Sequence, residues 1–209
     1  MKLVGTYVSP FARRVAAALV SRSIAYEHED LNGYANPVRA RELNPVGKVP
    51  ILILDDGERL IDSAAIFDHL NDLAGPHRAL VPPAGPARRT VLRLSAIAAT
   101  LLEQTTAHYF EQQRPASCAQ PELLERYRLQ IIGGLKALDD ASGPAGPIGL
   151  RPLDVATISA VVAVEYLAGW YPELEVARIA PKLAAVAAAL ADDVAFARTR
   201  PATLTGEGS

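Results

Sequence analysis

The sequence predicts an α/β domain built on a mixed four-stranded sheet, followed by an all-α helical-bundle domain. Three observations predict this. Up to Gly75, short apolar or alternating runs that suit strands are interleaved with segments of helical periodicity, in the order β-α-β-(α)-β-β-α. Residues 75–86, GPHRALVPPAGP, hold four prolines and two glycines, which interrupt any regular element. After them strand signals vanish and long helical periodicities take over. The expected division is residues 1–76, a linker at 77–86, and a helical domain at 87–209.

Residues 3–8 read as the first strand, broken at Ser9-Pro10. A serine N-cap followed by proline starts a helix, because the hydroxyl fills an orphan amide and proline lacks one. Phe11, Val15, Ala18 and Leu19 then recur at helical spacing, so one face of a helix to Ser21 should pack inward. Residues 25–30 alternate as a second strand with an exposed face, and 38–43 suit a short helix ended by Asn44-Pro45. Residues 50–54 and 59–61 form a strand pair around the hairpin dipeptide Asp56-Gly57. From Ser63, the residues Ile66, Leu70 and Leu73 mark a helix that Gly75-Pro76 stops.

In the second region, a long helix is expected over 87–114, with Leu92, Ala96, Ala99 and Leu102 inward. Another is expected over 121–141, with Leu124, Tyr127, Ile131 and Leu135 inward. Residues 142–150 are a second Gly/Pro loop. The apolar run at 154–168 should be the buried central helix; it is too short for a membrane span and carries Glu165. Arg151 and Pro152 precede Asp154, so a capping box is incomplete and Asp154 alone should cap. A short alanine-rich helix at 181–190 and a frayed tail at 201–209 complete the chain.

With 209 residues, half of them hydrophobic, the chain is long enough to bury a proper core. A formal net charge of -2 carries no nucleic-acid footprint. The single cysteine, Cys118, rules out an internal disulfide and suits a reducing cytoplasm, with no structural role expected for it. The first residues, MKLVGTYVSP, are interrupted too soon for a signal peptide, and no apolar run is long enough to span a membrane. His28, His69, His77 and His108 are scattered, so no metal site is expected, and Glu103 and Glu111 read as solvated.

Ser9 at a helix start also makes an anion site, because oriented amides and the helix dipole favour negative charge there. Taken alone, it reads first as a cap. Three segments, SPFARR at 9–14, NPVGKVP at 44–50 and DSAAI at 62–66, occur in that order. Together they resemble the N-terminal, thioredoxin-like half of a cytosolic glutathione transferase of the bacterial serine type. The resemblance covers the first region well and the remainder only in architecture.

It implies a glutathione-binding, thioredoxin-like domain in which Ser9 donates to the thiol and stabilises its thiolate. Val49-Pro50 would be cis and present the Val49 backbone to the cysteinyl part of the tripeptide. Ser63 and its helix start would hold the γ-glutamyl carboxylate, with Asp62 facing the α-amine and Lys48 the glycyl carboxylate. Many relatives carry glutamate where Asp62 stands. Tyr7 is the rival for the thiol contact, since other branches use a tyrosine near the end of this strand. They follow it with Arg-Gly-Arg, where FARRV stands here. Ser9 and Ala12 occupy the positions of a redox Cys-x-x-Cys, so dithiol exchange is excluded at this site.

Phe11, Tyr34, Tyr109, Phe110 and Trp170 are candidates for the apolar wall around a small hydrophobic electrophile, each equally readable as core. The implied protein is a homodimer built across its third and fourth helices, conjugating glutathione in detoxification without metal, nucleic acid or membrane. Glutathione-dependent isomerisation of the maleylacetoacetate kind, dehalogenation, and a non-catalytic binding or regulatory role stay open as alternatives.

Overall fold

Leu3 and Val4, fully buried, hold β1 (Lys2–Val4) in the middle of a sheet whose order is β2-β1-β3-β4. β2 (Glu27–Glu29) runs parallel to β1, with Leu3 opposite His28. β3 (Ile51–Ile53) runs antiparallel to it, with Leu3 opposite Leu52, and pairs in turn with β4 (Arg59–Ile61). The structure, a computed structural model, describes residues 1–149 and 151–202. On the edge strand β2, Glu27 and Glu29 keep the sheet edge in water.

β1 is shorter than the predicted 3–8 because Gly5 turns the chain out of the strand at φ +145. A Cβ there would stand 2.9 Å from that of Ala12 and 3.1 Å from that of Val49, so glycine alone lets the chain pass between them. β2 is likewise narrower than the predicted 25–30.

α1 (Pro10–Ser21), α2 (Pro37–Leu43) and α3 (Ser63–Ala74) belong to the sheet region. The remainder is helical: α4 (Gly85–Gln112), α5 (Pro121–Asp140), α6 (Val155–Trp170), α7 (Val176–Ile179), α8 (Pro181–Leu190) and α9 (Val194–Ala197). The sheet region is thus a thioredoxin-like α/β unit and the rest an all-α bundle. α6 is its centre, buried without a break from Val155 to Val164, and it packs against α1, α4 and α8. Among the described residues no single helix is long and apolar enough to cross a membrane.

Two expected packing faces change. α1 is buried nearly all round, Arg13 and Arg14 included at 2% exposure each, because α3, α6 and α9 all pack against it. Arg13 donates from Nε to the Thr199 carbonyl at 3.0 Å and forms an ion pair with Glu165 on α6. On α4 the buried face is Val91, Leu94, Ala98, Leu101, Leu102 and Thr105, whereas Leu92 is 42% exposed and Ala96 is exposed too. A helix this rich in alanine offers several apolar stripes, so periodicity does not select one. On α5, Ile131 and Leu135 are buried but Leu124 and Tyr127 only half-buried. α7 and α9 were not expected, being four residues each and too short to show a period. Of the expected tail and second loop, positions 203–209 and 150 lie outside the described residues.

Asp154 caps α6, accepting the Thr157 amide at 2.8 Å, while the Thr157 hydroxyl accepts the Gly149 amide at 3.1 Å. Burial raises the Asp154 carboxyl above its ordinary range, against the lowering effect of its bonds to Thr157 and of Arg22. Asp154→Ala is expected to lower stability by about 1–2 kcal/mol in urea unfolding, and Asp154→Asn, itself a good cap, by less than half of that. Since the raised carboxyl favours the protonated form in the folded state, its ionisation subtracts stability as pH rises above about 4. The asparagine variant should lack that decline.

Candidate active site

Three turns build the site. After β1 the chain closes a turn in which the Ser9 amide donates to the Thr6 carbonyl at 3.1 Å, and Ser9 becomes the N-cap of α1. Its Oγ accepts the Ala12 amide at a long 3.5 Å. In the second turn, buried Asn44 closes the NPVGK loop on itself. Its Nδ2 donates to the Lys48 carbonyl at 2.8 Å and its Oδ1 accepts the Val46 amide at 2.9 Å. Gly47, at φ +71, completes the loop, which delivers Val49 and a cis Pro50 beside the start of α1. In the third turn Asp62, at φ +67, caps α3 by accepting the Ala64 amide at 2.7 Å, and Ser63 begins the helix, buried to 4% exposure.

The last two turns and α4 enclose a cleft of about 440 Å³ whose lining includes Phe11, Lys48, Val49, Pro50, Asp62 and Ser63. α4 supplies the opposite wall with Glu103, Thr106, Ala107 and Phe110. A second cleft of about 300 Å³ shares Phe11, Asp62, Ser63 and Glu103 with it and runs on between α3 and α4, past Arg14 and Arg88. The N-termini of α1 and α3 both lie in this neighbourhood, and their dipoles favour anions there.

Of the residues expected from sequence, the structure brings Phe11, Lys48, Val49, Pro50, Asp62, Ser63 and Phe110 to one cleft. Ser9 lines neither cleft; it stands half-buried two residues before Phe11. The other three aromatics also lie off the lining. Tyr34 meets Phe110 with ring centroids 5.0 Å apart, Tyr109 meets Phe110 edge-on at 5.4 Å, and Trp170 meets Tyr109 at 6.0 Å. They form a chain of ring contacts around Phe110 outside the lining itself.

Tyr7 points elsewhere. Its hydroxyl bonds that of Tyr26 at 2.8 Å and its ring stacks on His28 at 4.1 Å, towards β2. Burial, then the bond to Tyr26, pushes its pKa well above the usual phenol range, so it stays protonated and engaged.

Of the two glutamates on α4, Glu103 is exposed as expected, whereas Glu111 is buried. Glu103 lines both clefts, and buried Glu111 accepts the Gln120 amide at 3.1 Å and pairs with Arg114 at 3.3 Å. Cys118 sits exposed in a 3-10 turn at Ala116–Cys118. Sequence reasoning missed Arg14, Asn44, Glu103 and Thr106. Asn44 was legible, since asparagine before proline in a glycine-containing loop commonly closes on its own backbone. Arg14 carried no signal, because a charged residue on an amphipathic helix reads as facing water. Among the described residues, no group of three or more His, Cys, Asp or Glu side chains could hold a metal ion.

A family described as "Glutathione S-transferase, N-terminal domain" matches residues 3–78. An uncharacterised glutathione-transferase-like protein of Escherichia coli, YibF, is 30% identical over 207 residues, covering 96% of this chain and 98% of its own. Two solved structures superpose on nearly the whole chain. The glutathione S-transferase of Methylobacillus flagellatus KT, with glutathione bound, is 28% identical with a TM-score of 0.88, covering 96% of this chain and 98% of its own. That of Methylobacterium radiotolerans, in complex with glutathione sulfonate, is 25% identical with a TM-score of 0.88, covering 96% and 94%.

Proposed function

The chain belongs to the glutathione S-transferase family, and from that premise we propose that it binds glutathione in the first cleft, stabilises its thiolate and transfers it to a small hydrophobic electrophile. The observation that carries this reading is the convergence of Val49-Pro50 and Asp62-Ser63 on one cleft beside the Ser9-capped end of α1. Glutathione has two carboxylates, an ammonium and a thiol, and this cleft meets the carboxylates and the ammonium with complementary groups, while Ser9 stands at the adjoining helix start for the thiol. Ser63 and the α3 N-terminus suit the γ-glutamyl carboxylate, and Asp62 suits the ammonium beside it. Lys48 suits the glycyl carboxylate, and the Val49 backbone pairs with the cysteinyl unit.

A free thiol has a pKa of about 8.5, so little of it is nucleophilic at neutral pH. Ser9 is the group assigned to the sulfur. Its oxygen accepts from Ala12, which leaves the hydroxyl proton to donate, and the first-turn amides of α1 add their dipole. Tyr7 is set aside because its hydroxyl is occupied by Tyr26.

Phe11 and Phe110 offer the electrophile its apolar contact, with Tyr34, Tyr109 and Trp170 in the ring contacts around Phe110. The working division is a glutathione-binding domain at 1–76, a linker at 77–86 and a helical domain from 87. The active species is a cytoplasmic homodimer joined across α3 and α4, where Leu73 and Leu92 are 52% and 42% exposed.

Titrating the thiolate absorbance of bound glutathione tests the reading. A pKa about 1–2 units below that of free glutathione is expected. No binding, or an unshifted pKa, would overturn it in favour of a non-catalytic role. An electrophile panel then separates conjugation from isomerisation and dehalogenation, which would use the same hold on glutathione.

A further inference from the structure

Arg14 is the most unusual group near the site. Only 2% of it is exposed, yet its Nε and Nη1 have no hydrogen-bond partner among the described residues. Its guanidinium lies over the Phe67 ring at 4.8 Å, which holds the plane of the fork, and it lines the second cleft together with Asp62, Ser63 and Glu103. Burial lowers its pKa to about 10, against the raising effect of Asp62 and then Glu103, so it remains a cation at neutral pH. A buried cation with unused donors is costly unless something supplies acceptors. The planar fork matches a carboxylate best, taking both oxygens at once.

The charges around Ser63 are of both signs: Arg14 is buried on the second-cleft side, and Asp62 and Glu103 lie where the two clefts meet. That arrangement suits the zwitterionic end of an amino acid, with carboxylate and ammonium on one carbon. We propose that Arg14, through the second cleft, binds the α-carboxylate of the γ-glutamyl residue of glutathione beside Ser63, while Asp62 and Glu103 take the adjoining ammonium. This rests on glutathione being the ligand. It makes Arg14 a specificity-determining residue for the free α-amino acid end of the tripeptide, and it gives Glu103 part of the role that the short Asp62 side chain leaves open.

Calorimetric titration of the full-length protein with three thiols tests it: glutathione, γ-aminobutyryl-cysteinyl-glycine, which lacks only the carboxylate, and glutaryl-cysteinyl-glycine, which lacks only the ammonium. The native protein should bind the decarboxylated thiol about 10- to 100-fold more weakly than glutathione. Arg14→Met should erase that preference by weakening glutathione and the glutaryl compound, which both keep the carboxylate, without weakening the decarboxylated thiol, so that the preference of glutathione over the glutaryl compound stays intact. Arg14→Lys, which keeps the charge without the fork, should restore part of it.

Equal binding of glutathione and the decarboxylated thiol by the native protein would overturn the proposal without any variant. A full preference retained in Arg14→Met would overturn it too, and a change in self-association alone would assign Arg14 to contact with a second copy. Failure of the native protein to bind glutathione would instead sink the parent reading.

Discussion

Replacing Ser9 with alanine is expected to raise the pKa of bound glutathione by about 1–2 units and to lower kcat/KM near pH 6.5 by about 10- to 100-fold. A hydrogen bond to a charged group contributes about 1.5–3 kcal/mol, and here it favours only the thiolate, so its loss falls on the ionisation. The sign follows. The variant's thiol ionises at higher pH, so its deficit should shrink as pH rises past the new pKa, while a defect in folding would persist at every pH.

Stability should change little. The cap bond to Ala12 is long at 3.5 Å, so its loss is expected at the low end for N-caps, about 0.5 kcal/mol in urea unfolding. Tyr7→Phe serves as the contrast and should leave the thiol pKa where it is. An unchanged pKa in Ser9→Ala would remove the serine from the mechanism.

The largest loss of stability is expected from Glu165→Ala, at about 3–5 kcal/mol. Arg13 is 2% exposed and pairs with Glu165, whose side chain is 19% exposed. Removing the carboxylate strands a charge in the interior, with the Thr199 carbonyl as its remaining partner. Against the 5–15 kcal/mol that typically holds a domain together, such a loss is severe. The double replacement Arg13→Met with Glu165→Met should recover most of it, since a buried ion pair exchanged for apolar packing is often neutral. Urea unfolding of the two variants decides the point: a cost below about 1 kcal/mol for Glu165→Ala would mean that water reaches Arg13.

The same pair also fastens the chain's two regions. Arg13 on α1 reaches α6 and the segment after α9, and Arg22, at the end of α1, donates to the Arg78, Ala79 and Leu153 carbonyls. α1 therefore carries the capped end that belongs to the site and the cations that hold the helical region against it. Nothing in its local sequence distinguishes Arg13, Arg14 and Arg22 from solvated residues.

What the sequence by itself determined is whatever short-range chemistry controls. The Ser9-Pro10 and Asp62-Ser63 helix starts, the Asp56-Gly57 hairpin, the Gly75-Pro76 stop and the buried run of α6 all depend on residues within a few positions of one another. Each emerges with small shifts of boundary. The three motifs at 9–14, 44–50 and 62–66 were legible for the same reason, because caps and turns write themselves in Ser, Asp, Pro and Gly.

Tertiary structure alone decided which faces are buried and which side chains meet. Leu92, Ala96 and Ala99 line a cleft while Leu94, Ala98 and Leu101 fill the core, although the period allows either stripe. Tyr109 and Trp170 join the ring contacts around Phe110 and lie off the cleft lining. Arg14 is interior because α1 is covered on every side. In each case the outcome depends on what packs from a distant part of the chain, and desolvation acts on that three-dimensional neighbourhood, which local sequence does not encode.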